Sequence, residues 1–184
     1  MRENMKKTFI ACAASLLFVA GSASAISITG EAGRHYTNLG FGMGTNTGGL
    51  TMSGNWARSD HDGEMAGFGL GFNLPIGSLM ATIGGKGIYM APEDGKNGGA
   101  IAVGGGLSYP ITKSFALYGE GYVAPESMTS GMKSYTEANA GVRWNVLRPL
   151  TIDAGYRYIN MEGKDGHRDN RLADGIYLGA GLNF

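Results

Sequence analysis

Two polar segments of the chain carry the residue types that perform acid–base chemistry. The segment "SDHDGE" starts at Ser59 and places His61 between two aspartates, and the segment "KDGHRDNR" places His167 among acidic and basic residues. A hydrolase needs a nucleophile within hydrogen-bond distance of its base and a third group that orients that base. Neighbours along one polar loop do not establish this geometry. We therefore expect no enzyme, and we assign no role to His35.

Seven charged residues form a second candidate site, because they fall within apolar segments rather than between them. Each lies on the parity opposite to the apolar residues of its segment: Glu31, Lys86, Glu120, Glu137, Arg143, Asp153 and Arg157. Charges that leave water are costly unless they pair, so the four acidic and three basic groups predict a network of ion pairs. Such a network would line a narrow polar path or plug it, and we favour the plug.

The segments that must position these charges have the period of β-strands. Apolar and small or polar residues alternate over ten stretches, which is the pattern of strands with two unlike faces. The predicted strands cover 26–33, 36–45, 49–58, 65–75, 78–90, 100–111, 114–124, 135–147, 150–160 and 176–184. Short turns such as Thr112-Lys113 alternate with longer polar connections such as "APEDGKNGG". This alternation is typical of an all-β, antiparallel, up-and-down transmembrane barrel. We predict ten strands, and eight remain possible if the stretch before residue 46 is not a barrel hairpin.

Aromatic residues indicate which parity meets lipid. They lie on the apolar parity near both ends of the predicted strands, where a bilayer interface selects amphipathic rings. The predicted aromatic girdle consists of Trp56, Tyr89, Tyr109, Phe115, Trp144, Tyr158 and Phe184. In a soluble barrel the same rings would be ordinary core residues. We favour the membrane barrel, in which the apolar parity points outward and the charged parity lines the lumen. A barrel of eight strands encloses only side chains, and ten strands add little room.

The two termini carry targeting signals. Arg2, Lys6 and Lys7 precede an apolar run and a small-residue site that ends at Ala25, which is the order of a secretory signal peptide. We predict a signal peptide over 1–25 and a barrel over 26–184. At the other end the pattern Tyr177-x-Gly179-x-x-Leu182-x-Phe184 is similar to the C-terminal signal that the barrel-insertion machinery reads.

The charge of the predicted mature chain excludes one class of partner. The full chain has 15 basic and 15 acidic residues, and the signal peptide removes three basic residues and one acidic residue. The remaining 12 and 14 give a net charge of about −2, whereas nucleic-acid binding calls for a basic excess.

We expect outer-membrane lipid and lipopolysaccharide as partners. Polar loop residues could contact lipid phosphates directly (Lys164, Arg168, Arg171) or through a divalent cation (Asp165, Asp169, Asp174). A plain solvated loop is the favoured reading, and we expect no metal site and no cofactor.

Four stretches give the chain a family resemblance. These are "TGGLTMSGNWARSDHDGE", "MATIGGKGIYMAPEDG", "EANAGVRWNVLRPLTIDAGYRYINMEGKDGHRDNRLADG" and the terminal Phe184. They resemble the YfaZ family of Gram-negative outer-membrane proteins. The resemblance implies an outer-membrane barrel, and it implies no biochemical activity. The chain is therefore expected to be structural or a narrow, mostly plugged pore. The alternatives are an outer-leaflet lipid-modifying enzyme that uses His61 or His167, and a surface binding protein that acts through its loops.

Overall fold

The computed structural model describes residues 26–45 and 47–184. The predicted signal peptide over 1–25 lies outside the described residues. Among the residues that are described, no helix has the length and apolar character needed to cross a membrane.

The described chain is built from antiparallel strands in sequence order. They are β1 (Ile26–Gly33), β2 (Tyr36–Met43), β3 (Gly49–Ser59), β4 (Gly63–Ile76), β5 (Leu79–Pro92), β6 (Gly98–Pro110), β7 (Phe115–Ala124), β8 (Thr129–Ser130), β9 (Ser134–Leu147), β10 (Leu150–Glu162) and β11 (Asn170–Asn183). β8 is a two-residue strand that follows a 3-10 turn at Glu126–Met128 and pairs with β6. The other ten strands are the long strands of the barrel, and the predicted count of ten is confirmed.

The sheet closes on itself between its first and last strands. β1 pairs with β11 from Ser27↔Asn183 to Gly33↔Tyr177, and β5 pairs with β6 to complete the ring. Closure gives the backbone groups of both terminal strands a partner, which a strand in hydrocarbon requires. The predicted up-and-down transmembrane barrel is therefore the observed fold.

The connections define two ends of the barrel. At the turn end lie residues 44–45, 47–48, 77–78, 111–114 and 148–149, and at the loop end lie 34–35, 60–62, 93–97, 125–133 and 163–169. The segment "SDHDGE" was expected to be a long loop, and this is wrong. Only residues 60–62 leave the sheet there, because β3 continues to Ser59 and β4 starts at Gly63, whose φ of 91° suits glycine.

The last strand differs most from its predicted bounds. It begins at Asn170 instead of residue 176, and a register shift opposite Ile159 and Asn160 leaves Leu172 as an extra residue. Leu172 and Ala173 are consequently both buried, although they are neighbours. A β-bulge of this kind interrupts the period of two on which the prediction relied.

The second strand ends two residues earlier than predicted. It stops at Met43 because Gly44 adopts a φ of 70°, so Gly44 belongs to the turn and not to the inward face. The buried Asn73 on β4 holds this turn, since its Nδ2 donates hydrogen bonds to the carbonyl oxygens of Gly44 (2.9 Å) and Thr47 (2.9 Å).

The two faces of the sheet are inverted relative to those of a soluble protein. Large apolar side chains on the outer parity are exposed, as Ile176 (78%), Leu50 (70%) and Ile101 (64%) illustrate. Four of the seven charged residues of the inner parity are buried, namely Lys86, Glu137, Asp153 and Arg157. This is the arrangement that a bilayer selects, with apolar groups outward and polar groups in the lumen.

The predicted girdle residues all lie on the outer parity. Trp56, Tyr89 and Tyr158 lie nearer the loop end, and Tyr109, Phe115, Trp144 and Phe184 lie nearer the turn end. Phe115 and Trp144 are cross-strand partners whose rings stack with centroids 6.0 Å apart. Aromatic rings therefore lie near both ends of the strands, as expected of a girdle at each membrane interface.

Candidate functional site

The lumen is filled in three successive layers, which we name from the turn end. The chamber is a polar cavity lined by residues such as Thr51, Thr82 and Ser108. The charged layer above it contains Glu31, Lys86, Glu120, Glu137 and Arg157. The apolar layer near the loop end is a cluster of buried hydrophobic side chains. Strand register builds this order, because alternate residues of every strand face inward and each strand crosses all three layers.

Arg157 and Glu137 form the centre of the charged layer. Arg157 donates from Nη1 to Glu137 Oε1 (3.1 Å) and from Nη2 to Glu31 Oε1 (3.0 Å). The second oxygen of Glu137 accepts hydrogen bonds from Lys86 Nζ (3.0 Å) and from the hydroxyl of Tyr135 (3.1 Å). The fully buried carboxylate thus has two cationic partners and one neutral donor, which is how a buried charge is compensated.

Glu120 is held less closely than the other lumen carboxylates. Its nearest cationic atom is Arg157 Nη2 at 3.9 Å, and Asn139 Nδ2 donates a long hydrogen bond of 3.4 Å to it. Its side chain is 35% exposed, and it lines the chamber. Glu31 and Glu137 also line the chamber, and Glu120 has the most exposed side chain of these three carboxylates.

Arg143 and Asp153 make a separate pair nearer the turn end. Arg143 Nε donates to Asp153 Oδ1 at 2.7 Å. We expected one network of ion pairs, and the structure divides it into two groups. Neutral side chains join the groups, because Arg143 lies over the Tyr118 ring, Tyr118 hydrogen-bonds to Tyr177, and Tyr177 donates to Asn139.

The apolar layer closes the lumen on the loop side. Tyr135, Met90 and Ile159 have no exposed surface, and their neighbours in the layer are almost as buried. The cluster also includes Tyr36, Ala57, Met65, Ile88, Ala100, Ala102, Ala124, Met132, Met161, Leu172 and Ala173. Sequence reasoning missed most of this layer. The available signal was a set of apolar residues on the inward parity, most of which lie in the loop-end half of their strands.

The chamber occupies the remaining part of the lumen. It has a volume of about 250 Å³ and extends from Glu120 and Arg157 down to Thr45 and Asn183 at the turn end. Its wall contains many glycines and small hydroxyl residues, so its surface offers hydrogen-bond acceptors and little bulk. The chamber can therefore take a small polar molecule from the turn side.

The loops at the other end are tied together by charged side chains. His167 Nδ1 lies 3.0 Å from Asp94 Oδ1, and the backbone N–H of Arg168 donates to the second oxygen of Asp94 (3.3 Å). Arg168 also donates from Nη2 to the carbonyl oxygen of His61 (3.1 Å). The hydrogen bond from His167, together with that from the Arg168 backbone, lowers the pKa of Asp94. We call Asp94, His167 and Arg168 the loop latch.

The geometry does not assemble a hydrolase around either predicted histidine. Ser59 is buried on the inner parity, and its hydroxyl accepts a hydrogen bond from the backbone N–H of His61 rather than from its ring. The His61 ring instead lies 6.1 Å from that of His35 in an edge-to-face arrangement. Asp94 is an acidic partner that could orient the His167 ring, but no hydroxyl or thiol of the described residues hydrogen-bonds to that ring as a nucleophile would.

The suggested divalent-cation site is not formed. Asp174 lies on β11, where it accepts hydrogen bonds from Arg171 and Tyr156, whereas Asp169 accepts one from the backbone N–H of Gly163. In the described parts of the chain, no three His, Cys, Asp or Glu side chains are grouped closely enough to hold a metal ion.

A closed barrel with an apolar outer face and a polar lumen defines a class of protein, the integral outer-membrane β-barrels. Residues 5–184 match the family described as "YfaZ precursor", and the chain belongs to that family. It is 56% identical over 180 residues to the "Outer membrane protein YfaZ" of Escherichia coli (strain K12), covering 98% of this chain and 100% of that protein. The chain is an outer-membrane protein, and the predicted signal peptide agrees with the family's description as a precursor.

Two solved structures are similar in overall shape. The NanC porin is 11% identical, with 88% of this chain and 99% of the porin covered and a TM-score of 0.45. The transport unit of the autotransporter AIDA-I from Escherichia coli is 14% identical, with 91% of this chain and 92% of that chain covered and a TM-score of 0.48.

Proposed function

We propose that this protein is a non-conducting outer-membrane barrel, a structural element whose lumen is sealed on the loop side. The apolar layer is the observation that carries the proposal. Water does not reach Tyr135, Met90 or Ile159, although all three lie inside the barrel. A continuous path for ions would leave a hydrated strip along the lumen wall at this height.

The cost of desolvation opposes the passage of even a single small ion through the lumen. An ion that crosses the apolar layer would lose its hydration shell, and the idealised cost of such a transfer is of order 20 kcal/mol. Below that layer, the charged layer holds Lys86, Glu137 and Arg157 in contacts of 3.0–3.1 Å. These contacts occupy the polar groups that could otherwise solvate a passing ion.

Planar-bilayer recording tests the proposal directly. The wild-type barrel should insert without stable conductance steps. The double variant Met90→Ala/Tyr135→Ala removes bulk from the apolar layer and should give current through the lumen. The matched control is Leu70→Ala/Tyr89→Ala, which removes exposed side chains of similar size from the outer face and should leave the barrel silent. Reproducible unitary conductance of the wild type would overturn the proposal.

We also propose that the loop-end rim contacts the phosphates of lipopolysaccharide. The supporting observation is Arg171, which is exposed on the outer parity and lies over the Tyr158 ring, with Arg58 also exposed on the outer parity of β3. Guanidinium groups bind phosphate in a bidentate manner. Mass analysis of lipid that copurifies with the protein should show less lipopolysaccharide for Arg58→Gln/Arg171→Gln than for wild type, and the control Lys113→Gln at the turn end should retain it.

We propose no catalytic role for the barrel, because the Ser59 hydroxyl bonds to the His61 backbone instead of the His61 ring, and because no hydroxyl or thiol of the described residues hydrogen-bonds to the His167 ring. Lipid A from cells with and without the protein should therefore have the same mass spectrum. A protein-dependent mass change that His167→Ala abolishes would favour the lipid-modifying alternative instead.

A further inference from the structure

Glu120 leaves the charges of the lumen out of balance. The two lumen groups contain four carboxylates and three cations, and each cation makes its close contacts elsewhere. Lys86 binds Glu137, Arg143 binds Asp153, and Arg157 binds Glu31 and Glu137, at distances between 2.7 and 3.1 Å. The single excess negative charge therefore falls on Glu120, whose nearest cationic atom is 3.9 Å away.

An uncompensated carboxylate inside a barrel is costly. The protein interior solvates a charge poorly, and a counterion stabilises a carboxylate in that position. Glu120 has room for a counterion, since its side chain is 35% exposed and borders the chamber. The volume of about 250 Å³ corresponds to about eight water molecules at about 30 Å³ each.

The surroundings of Glu120 favour an ammonium group over a metal ion. Tyr118 and Tyr122 flank it on β7, each two residues away on the inner parity. The Arg143 guanidinium lies 5.1 Å from the centroid of the Tyr118 ring, and Lys86 Nζ lies 4.2 Å from that of the Tyr122 ring. Aromatic faces attract organic cations. Calcium would need six to eight oxygen ligands, whereas an ammonium needs three acceptors, which one carboxylate and neighbouring hydroxyl or amide oxygens can supply.

We propose that the chamber is a binding site for a small organic ammonium ion, which enters from the turn end and pairs with Glu120. The inference rests on the sealed lumen proposed above, because a conducting lumen would let ions pass Glu120 without residing there. The ligand is a small molecule with one cationic nitrogen, and it comes from the compartment that the turn end faces. Barrels of this class place their short turns in the periplasm.

Methionine methyl groups report on the site in the intact barrel. Met80 lines the chamber, and Met128 is exposed at the loop end and provides an internal reference. In the refolded full mature chain with labelled methionine methyl groups, titration with ethylammonium chloride should shift the Met80 resonance saturably and leave that of Met128 unchanged. Sodium chloride at equal ionic strength should not reproduce the Met80 shift.

Variants assign the shift to Glu120. Glu120→Gln should weaken the ethylammonium response at least tenfold, and the control Glu64→Gln, which removes the same charge from the exposed outer face, should keep it. Ser108→Lys introduces a cation at the chamber wall with Glu120 intact and should also abolish the response, which keeps the test valid if Glu120→Gln fails to refold. The proposal is overturned if Met80 does not respond, if sodium produces the same shift, or if Glu120→Gln responds like wild type. Bilayer conductance of the wild type is read separately, so failure of the sealed lumen is distinguishable from failure of this site.

Discussion

Arg157 links distant strands of the barrel, because its one guanidinium compensates two carboxylates. It contacts Glu31 on β1 and Glu137 on β9 and is itself 4% exposed. Removing one member of a buried ion pair leaves the other charge uncompensated, at a cost of about 3–5 kcal/mol. Arg157→Ala should lower the free energy of unfolding in urea by about that amount when the barrel is held in micelles.

Two further variants separate charge from geometry. Arg157→Lys keeps the charge but cannot reach both carboxylates with a planar fork, so it should recover only part of the loss. Arg58→Ala removes an exposed arginine from the outer face and should change the unfolding midpoint little. An unchanged midpoint for Arg157→Ala would show that the charged layer does not stabilise the fold.

Gly141 illustrates how closely neighbouring strands approach along the lumen wall. A Cβ atom at this position would lie 2.5 Å from the carbonyl oxygen of Ala154 and 2.7 Å from the Tyr118 hydroxyl. Overpacking of this kind costs about 1–3 kcal/mol. Gly141→Ala should therefore shift the thermal or urea transition measurably downward. Gly175→Ala is the matched control, since a Cβ there meets nothing within 4 Å, and equal effects of the two variants would contradict the packing argument.

The sequence was sufficient to predict which charged residues line the lumen, because each of them interrupts an apolar segment. All seven charged residues lie on the inner parity because alternation fixes the side to which each residue points. Their partners were not predictable, since pairs such as Glu31 and Arg157 depend on barrel closure between residues separated by 126 positions. Met65 and Ile159 were missed for a related reason, because an apolar residue on the polar parity carries no local signal of burial.

Among the connecting elements, the loop latch has a contact that depends on pH. Asp94 has a lowered pKa, so its contribution to loop closure is complete at pH values above its ordinary value of 3.8 and is lost as the pH falls through the lowered value. The protection factors of residues 163–169, which are exchange rates corrected for the intrinsic pH dependence of amide exchange, should stay constant from neutral pH to pH 5 and fall only in strong acid. Protection factors that fall between pH 7 and pH 5 would contradict this assignment.

Substitution at neutral pH tests the same element independently. Asp94→Asn removes the charge that His167 and Arg168 contact, so residues 93–97 and 163–169 should become several-fold more sensitive to protease. Asp165→Asn is the matched control in the same loop, because asparagine tolerates the φ of 58° at this position and Asp165 is not part of the latch. Equal cleavage of the two variants would show that the latch does not order the loops.

The bounds of a strand were predictable where its residues alternate strictly with a period of two. β1 has the predicted bounds, since its alternation runs unbroken from Ile26 to Gly33. β11 begins six residues before its predicted start, because the bulge at Leu172 places two neighbouring residues inside. The predicted end of β2 was wrong for a similar reason. Gly44 adopts a positive φ and lies outside the sheet, and the alternation of residues does not predict this conformation.

For the whole molecule, the residues of the predicted insertion signal lie on or beside β11, the strand that closes the barrel against β1. The backbone N–H of Phe184 donates to the carbonyl oxygen of Ile26 (2.9 Å), so the terminal aromatic residue lies at the seam between β11 and β1. We predict that Tyr177, Gly179, Leu182 and Phe184 form the signal read by the barrel-insertion machinery. Phe184→Ala should reduce the amount of protein in the outer membrane several-fold, while Phe72→Ala, an outward ring within β4, should not. Equal membrane levels by immunoblot of fractionated cells would contradict the signal.

The class of fold was predictable because many weak signals agree. Ten alternating segments, short turns and an outward aromatic set all favour one closed sheet, and the observed sheet has that form. The division of the lumen into a chamber and an apolar layer was not predictable. It arises from the height that each inward residue takes in the closed barrel, and that height depends on the register of all ten strands.

Cysteine accessibility in proteoliposomes tests the sealed, inverted barrel most directly, since the single cysteine of the chain, Cys12, lies in the predicted signal peptide. Three variants sample its regions: Ser108→Cys in the chamber, Ala102→Cys in the apolar layer and Leu70→Cys on the outer face. A water-soluble maleimide should label Ser108→Cys rapidly and label the other two variants at least a hundredfold more slowly. Labelling of Ala102→Cys as fast as that of Ser108→Cys would mean that water fills the lumen from end to end, which would contradict a sealed barrel.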